Sequence, residues 1–182
     1  MKRQSTEMAG QDRSNQYLRY TRTNSGDGLL TSSYAIDYVY RGKSFCVVDW
    51  FEIAAGATQY FVFDTSSAGF LSVAPPLFTS TGGPVFVTIY SGTDYTGVDS
   101  LNVQNRNARS TISNVATIKD QATGTTKGDV LVRYMIPSSK KESGSIADAL
   151  PFVFNGHKYL IEVDNEDSSA VYFGFDFIWY ED

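Results

Sequence analysis

The side chains able to do chemistry in this chain are mostly carboxylates, and their spacing limits what they can do. Asp164, Asn165, Glu166 and Asp167 are consecutive, so their oxygens are close enough to hold a calcium ion. The ligand order and central glycine of a helix–loop–helix calcium loop are missing, however, and the run reads as a solvated hairpin turn. Asp49 and Glu52 stand three apart in a strand-like stretch, point to opposite faces and cannot form a glycosidase pair with each other. Asp94 with Asp99 or Asp64 could meet only through the fold. The single histidine, His157, follows the turn pair Asn155-Gly156 and has no sequence neighbour that would make it the base of a triad. The single cysteine, Cys46, lies in a strand-like run and reads as a small buried hydrophobe. One histidine excludes a multi-histidine metal site, and one cysteine excludes an intrachain disulfide. Gly82-Gly83-Pro84 opens a strand and no helix, so it is no phosphate cradle. Arg106 and Arg109, in the polar stretch 105–110, could contact an acidic protein surface or phosphates. No catalytic residue, metal or cofactor is expected.

The elements that must position these residues are strands. With 182 residues, 42% hydrophobic and 14% aromatic, the chain can build one packed core of ordinary size. Period-two patterns predict a strand over 34–40, where Tyr34, Ile36, Tyr38 and Tyr40 share a face, and a turn at Arg41-Gly42-Lys43. The runs 44–52 and 58–64 read as a hairpin around Ala54-Ala55-Gly56-Ala57. The run 70–73, stopped by Pro75-Pro76, reads as an edge strand. Strands follow over 85–90, 111–119 and 129–136, with 91–110 as a long loop holding at most a short strand. The polar stretch 138–150 is expected to be a flexible loop. The run 152–154, Asn155-Gly156 and 158–164 read as strand, tight reversal and strand. In 170–180, Val171, Phe173, Phe175, Phe177 and Trp179 alternate with Tyr172, Gly174, Asp176, Ile178 and Tyr180, and the first set is the expected core face. Eight or nine strands and no long amphipathic helix predict an all-β protein, a single jelly-roll-like β-sandwich.

Charge divides the chain in two. Residues 1–33 hold five basic residues (Lys2, Arg3, Arg13, Arg19, Arg22) against three acidic ones (Glu7, Asp12, Asp27), a net +2, which leaves −7 for the remainder of a chain whose total is −5. The only Leu, Ile or Val in this leading part are Leu18, Leu29 and Leu30, too few to offset the entropy of ordering it alone. The expected organisation is therefore an extended polar N-terminal arm, 1–33, followed by a sandwich domain, 34–182. An acidic body disfavours nucleic acid. Apolar runs of about four residues are far short of a spanning helix, which needs roughly 20, and the charged start leads into polar residues rather than the apolar stretch of a secretory signal. Synthesis in a cytoplasm, with no membrane partner, is the expectation.

From residue 81 onward, several segments resemble head decoration (cement) proteins of tailed bacteriophages, which are built on β-sandwich or jelly-roll domains. They are residues 81–90 (TGGPVFVTIY), Asn105-Arg106-Asn107, residues 156–165 (GHKYLIEVDN) and the closing Trp179-Tyr180-Glu181. The resemblance implies a non-enzymatic virion protein, commonly a homotrimer, on the outer surface of the capsid. Its partner would be the major capsid protein, with no small-molecule substrate. On that reading Arg13, Tyr17, Arg19, Tyr20 and Arg22 of the arm, with Arg106 and Arg109, are the candidate partner-binding residues. Two other readings stay open. Exposed aromatics such as Tyr90, Tyr95 or Tyr172 could stack on sugar rings in a carbohydrate-binding or receptor-binding module. Two carboxylates brought together by the fold could cleave glycosides, which requires a pair about 5 to 9.5 Å apart in a cleft.

Overall fold

The alternation at the C-terminal end organises the interior. In the computed structural model Val171, Phe173, Phe175, Phe177 and Trp179 are each at most 1% exposed. Residues 16–23, 26–69, 71–74, 76–137, 152–154 and 156–181 are described, of which 16–23, 26–34, 152 and 153 by their backbone alone. The elements are β1 (Gln16–Thr23), β2 (Gly26–Ser33), α1 (Tyr34–Tyr40), β3 (Ser44–Ile53), β4 (Thr58–Asp64), β5 (Leu71–Val73), β6 (Leu77–Ser80), β7 (Val85–Ser91), β8 (Gln104–Asn105), β9 (Thr117–Lys119), β10 (Asp129–Ile136), β11 (Phe152–Phe154), β12 (Lys158–Asn165) and β13 (Val171–Glu181).

Two antiparallel sheets form the sandwich. Sheet I runs β11-β5-β13-β3-β8, with β6 also on β13; sheet II runs β10-β7-β12-β4-β9. Eight of the strands, β3, β4, β5, β7, β10, β11, β12 and β13, make two four-stranded layers ordered 3-13-5-11 and 4-12-7-10. That is jelly-roll wiring, in which the chain repeatedly crosses between layers so that each strand's apolar side meets the same core. The all-β sandwich expected from the strand pattern is therefore the fold. Aromatic rings fill the space between the sheets. Phe61 of β4 stacks on Phe175 of β13 with centroids 5.4 Å apart, and Phe63 meets Phe177 at 5.1 Å and Trp179 at 5.5 Å. Val85, Val87 and Ile89 of β7 line the opposite wall at no more than 1% exposure.

This wiring corrects three local expectations. The runs 44–52 and 58–64 are strands but not a hairpin: β3 lies in sheet I and β4 in sheet II, because each offers an apolar face to one core from opposite sides. Likewise Gly156, with φ of +61°, turns the chain, yet β11 and β12 go to different sheets. The strand after residue 70 is no edge, since β5 is flanked by β11 and β13; Pro76 falls in the link to β6, outside either ladder. Of the predicted strand over 111–119, only β9 pairs. The expected loop 138–150 lies outside the described residues.

The predicted strand over 34–40 is a helix. Aromatic residues there also satisfy helical spacing, and α1 buries Asp37 and Tyr38 on one side while Ile36 and Tyr40 are exposed. Tyr38 packs edge-on against Tyr180 of β13 at 5.5 Å, and Arg41 pairs with Asp37 one turn back at 2.7 Å. The expected turn at Arg41-Gly42-Lys43 ends it. Gly42 N–H reaches the Val39 carbonyl and Lys43 N–H that of Tyr38, the double bond of a Schellman cap. Gly42 carries the required positive φ, +71°.

In the leading part of the chain, β1 and β2 form an antiparallel ribbon running from Gln16 opposite Ser33 to Thr23 opposite Gly26. It is a sheet of its own.

Candidate functional site

Sheet I carries its outward residues at the even positions of β3 and β13, because the odd positions of β13 hold the core. The register places Glu52 opposite Tyr172, Trp50 opposite Gly174, Val48 opposite Asp176 and Cys46 opposite Ile178; on the other flank of β13, Thr79 pairs with Gly174 and Leu77 with Asp176. Apolar side chains are exposed along this face: Val48 is 60%, Trp50 56% and Tyr172 54% exposed.

The centre of the face depends on Gly174. A Cβ built there would lie 2.9 Å from the Trp50 Cη2 and Cζ2 atoms and 2.3 Å from Thr79 Oγ1. The missing side chain therefore leaves the room that the benzo edge of the indole occupies. Beside it is a hollow of about 180 Å³ lined by Val48, Trp50, Leu77, Thr79, Gly174 and Asp176 among others. Asp176 is half-buried between Val48 and Leu77, and its Oδ1 has no hydrogen-bond partner. Burial raises its carboxyl above the usual carboxylate range, against the pull of the Arg106 guanidinium. Burial likewise raises the Cys46 thiol, which is half-buried on the same face and again opposed by Arg106.

Arg106 is thus placed at a definite position. Its backbone N–H donates to the Ser44 carbonyl at 2.9 Å, and its side chain is close enough to Tyr180 to hydrogen-bond it. With Ala35, Ile36, Val39 and Tyr40 of α1 it lines a second hollow of about 380 Å³. Arg109 is exposed in the neighbouring turn, where its N–H donates to Asn107 Oδ1 at 3.1 Å. Tyr17, Arg19, Tyr20 and Arg22 lie in β1, with backbones opposite Ser32, Leu30, Leu29 and Asp27. Arg13 lies outside the described residues.

No family model, curated protein or solved structure matches the chain.

The outward face of sheet II is built differently. Glu162 of β12 is buried, accepts the Tyr90 hydroxyl at 3.0 Å and pairs with Lys127, whose ammonium lies over the rings of Tyr60 and Tyr90, 5.5 and 5.9 Å from their centroids. The hydrogen bond to Glu162 raises the Lys127 pKa. Burial raises the hydroxyls of Tyr60 and Tyr90, helped at Tyr90 by Glu162. Tyr95 packs on Tyr60 at 5.3 Å and is buried with Val62, Ala122 and Leu160 beneath the loops that follow β7 and β9. Lys127 and these rings pin the loops to the sheet. The three tyrosines considered for sugar stacking are therefore not one platform. Tyr95 is buried and Tyr90 is tied to Glu162 on sheet II, while Tyr172 is exposed on sheet I.

The carboxylates considered for metal or catalysis are engaged locally. Asp167 accepts the N–H groups of Gly83 and Ser169, and Asn165 sends its amide to the carbonyls of Ile53, Ala54 and Ser169, so 164–167 is a hydrogen-bonded turn. Asp94 accepts from Thr125 and Thr126, Asp64 from Ser66 and Asp99 from Gln121. Among the described residues no three His, Cys, Asp or Glu side chains cluster as a metal site. His157 is exposed, and its carbonyl accepts from Thr65 N and Oγ1. Trp50, Gly174 and Asp176 carry the face, yet a reading of the sequence alone singles out none of them for function. Their one signal is a glycine inside an otherwise aromatic strand, which marks a close approach.

Proposed function

We propose that the chain is a structural, non-enzymatic attachment protein of a bacteriophage head, a decoration protein that clamps major capsid subunits from outside. The observation that carries this reading is the β1–β2 ribbon, which among the described residues pairs only with itself and joins neither sandwich sheet. A lone two-stranded ribbon is marginal in water, and this one contains only Leu18, Leu29 and Leu30 as aliphatics, so a partner's surface supplies its stability. Its basic excess directs it to an acidic patch on the shell, with Arg19, Arg22 and the Arg106–Arg109 turn as contacts. The edge of sheet II at β10, unpaired among the described residues and with Val130, Leu131 and Met135 exposed, gives copies a surface for association around a threefold axis.

The test is co-sedimentation with undecorated heads of the phage that encodes the chain. Full-length protein should pellet with heads. Protein lacking residues 1–33 should stay in the supernatant while keeping the β-rich circular dichroism of the parent. Undiminished binding by the truncated protein would overturn the role of the ribbon.

A further inference from the structure

We infer that the β1–β2 ribbon of one copy adds to the β10 edge of a second copy, extending that copy's sheet II, and that repetition of this contact closes a ring of three. The contact rests on the threefold association proposed above and supplies its two surfaces. An edge that meets its own kind gives a two-fold contact, whereas a threefold ring needs two different surfaces. A partner other than β10 must therefore meet β10. Among the described residues that strand is paired on one side only, by β7, and every second residue of such a strand turns its N–H and C=O away from the sheet. A bulge at Leu131 breaks the register between Val130 and Val132, so the regular stretch open to a new ladder is 132–136. Edges that must stay single are commonly guarded by charge. Here Val130, Leu131 and Met135 are exposed, and the Arg133 guanidinium lies over the Phe86 ring, 4.6 Å from its centroid.

The ribbon is the matching donor. Its strands have eight residues each, longer than that stretch, and among the described residues they pair only with each other, which leaves an edge on either side. Charge draws the two together, with +2 on residues 1–33 against −7 on the remainder of a chain whose total is −5. The chain's own β10 is out of reach. α1 sits on the β3–β8 flank of sheet I, where the side chains of Asn105 and Asn107 donate to the carbonyls of Gly42 and Tyr40 at 2.7 and 3.3 Å. β10 stands over the opposite flank, with Tyr134 edge-on to Phe78 of β6 at 5.6 Å. Three strand spacings, about 14 Å, and one sheet spacing, about 10 Å, separate them. β2 ends at Ser33 and α1 begins at Tyr34, so no residue is left to carry the base of the ribbon across. Anchored there, the ribbon cannot lie along β10 of its own chain, but it can lie along a neighbour's. The pairing uses one edge of the ribbon and leaves the other to the shell.

Two variants divide the contact into its halves. Met135→Lys keeps the ribbon and puts a charge on the edge, while removal of residues 1–33 keeps the edge and deletes the ribbon. In sedimentation velocity the full-length parent should be a trimer, and each variant alone should be a monomer with the β-rich circular dichroism of the parent. Mixed in equal amounts, the two variants should form a one-to-one complex, because the ribbon of the first still finds the intact edge of the second. Leu131→Lys, beside the same stretch, should behave as Met135→Lys does, so a folding defect in one edge variant leaves the other to decide. Self-association of the chain lacking 1–33 would assign the contact to β10 meeting itself. A parent that is not a trimer, or folded variants that do not combine on mixing, would place the ribbon on another surface. Each of these results overturns the proposal. The clamp is read separately: if the variants combine but the parent fails to pellet with undecorated heads, the clamp falls and the exchange stands.

Discussion

The indole Nε1 of Trp179 donates to the Glu181 carboxylate, two residues further along β13, at 2.9 Å. The same carboxylate accepts the backbone N–H groups of Val115 and Ala116, each at 2.9 Å in its shorter contact. One side chain near the C-terminus therefore closes the core at Trp179 and fastens the segment leading into β9. Replacing it by alanine strands two buried donors, and a buried group left unpaired costs about 1–3 kcal/mol. Glu181→Ala should lose roughly 3 kcal/mol in urea unfolding, as a lower midpoint with an unchanged slope; a midpoint within error of the parent would show the lock to be idle.

The same geometry makes the closing residues indispensable. Removing 177–182 deletes Phe177 and Trp179, both no more than 1% exposed, and large core aromatics cost about 3–5 kcal/mol each when truncated. Two such losses rival the whole stability of a domain, about 5–15 kcal/mol. The shortened chain should show no cooperative thermal transition, and a folded one would contradict the placement of β13.

The core was legible because a strand with one buried face writes period two into its residues, as in 85–90 and 170–180. Period alone could not separate helix from strand over 34–40, where Asp37 and Tyr38 turn inward together in a helix; Gly42, the decisive stop, also suits a turn between strands. Turn residues such as Gly56 and Gly156 told where the chain bends but not which sheet receives it. That choice rests on where the apolar faces on either side of the bend find a core. The candidate site lay deeper still. Trp50 and Gly174 are neighbours only through the β3–β13 register, and no local spacing announces that a tryptophan will occupy the room left by a glycine so far along the chain.

That pairing gives a sharp substitution. In Gly174→Ala the new Cβ meets Thr79 Oγ1 at 2.3 Å and the indole at 2.9 Å. Threonine can rotate away, but the ring must shift. Overpacking of this kind costs about 1–3 kcal/mol. The expected signature is a lower melting temperature together with greater acrylamide access to Trp50; unchanged quenching would mean that the ring does not occupy the room left by the glycine.

Alkaline titration tests Lys127. The hydrogen bond to buried Glu162 raises its folded pKa above the ordinary lysine value, so the pair's stabilisation is fully present below that value and is lost as pH climbs through the folded pKa. Stability measured at rising alkaline pH should therefore fall in the parent more than in Lys127→Met. At neutral pH that variant leaves Glu162 without its cation. Breaking a buried pair costs several kcal/mol, but the Lys127 side chain is 40% exposed and screened by water, which brings the expected loss to about 1–2 kcal/mol. Identical pH profiles for the two proteins would remove the ion pair from the account.

Acid acts on the residues just before Lys127. The Thr125 hydroxyl and the N–H groups of Thr126 and Thr125 hold the Asp94 carboxylate below the usual aspartate range. A depressed folded pKa means stabilisation present above the ordinary aspartate value and lost as pH falls through the folded one. The group is exposed, so its loss should free the loop locally rather than unfold the sandwich. Amide hydrogen exchange at Thr125 and Thr126, corrected for intrinsic rates, should accelerate as pH drops below the ordinary aspartate range while the β12 and β13 amides stay protected. Asp94→Asn should show weaker protection already at neutral pH and a flatter response to acid. Exchange at 125–126 that follows the sheet amides at every pH would instead place the anchor on the adjoining Lys127–Glu162 pair.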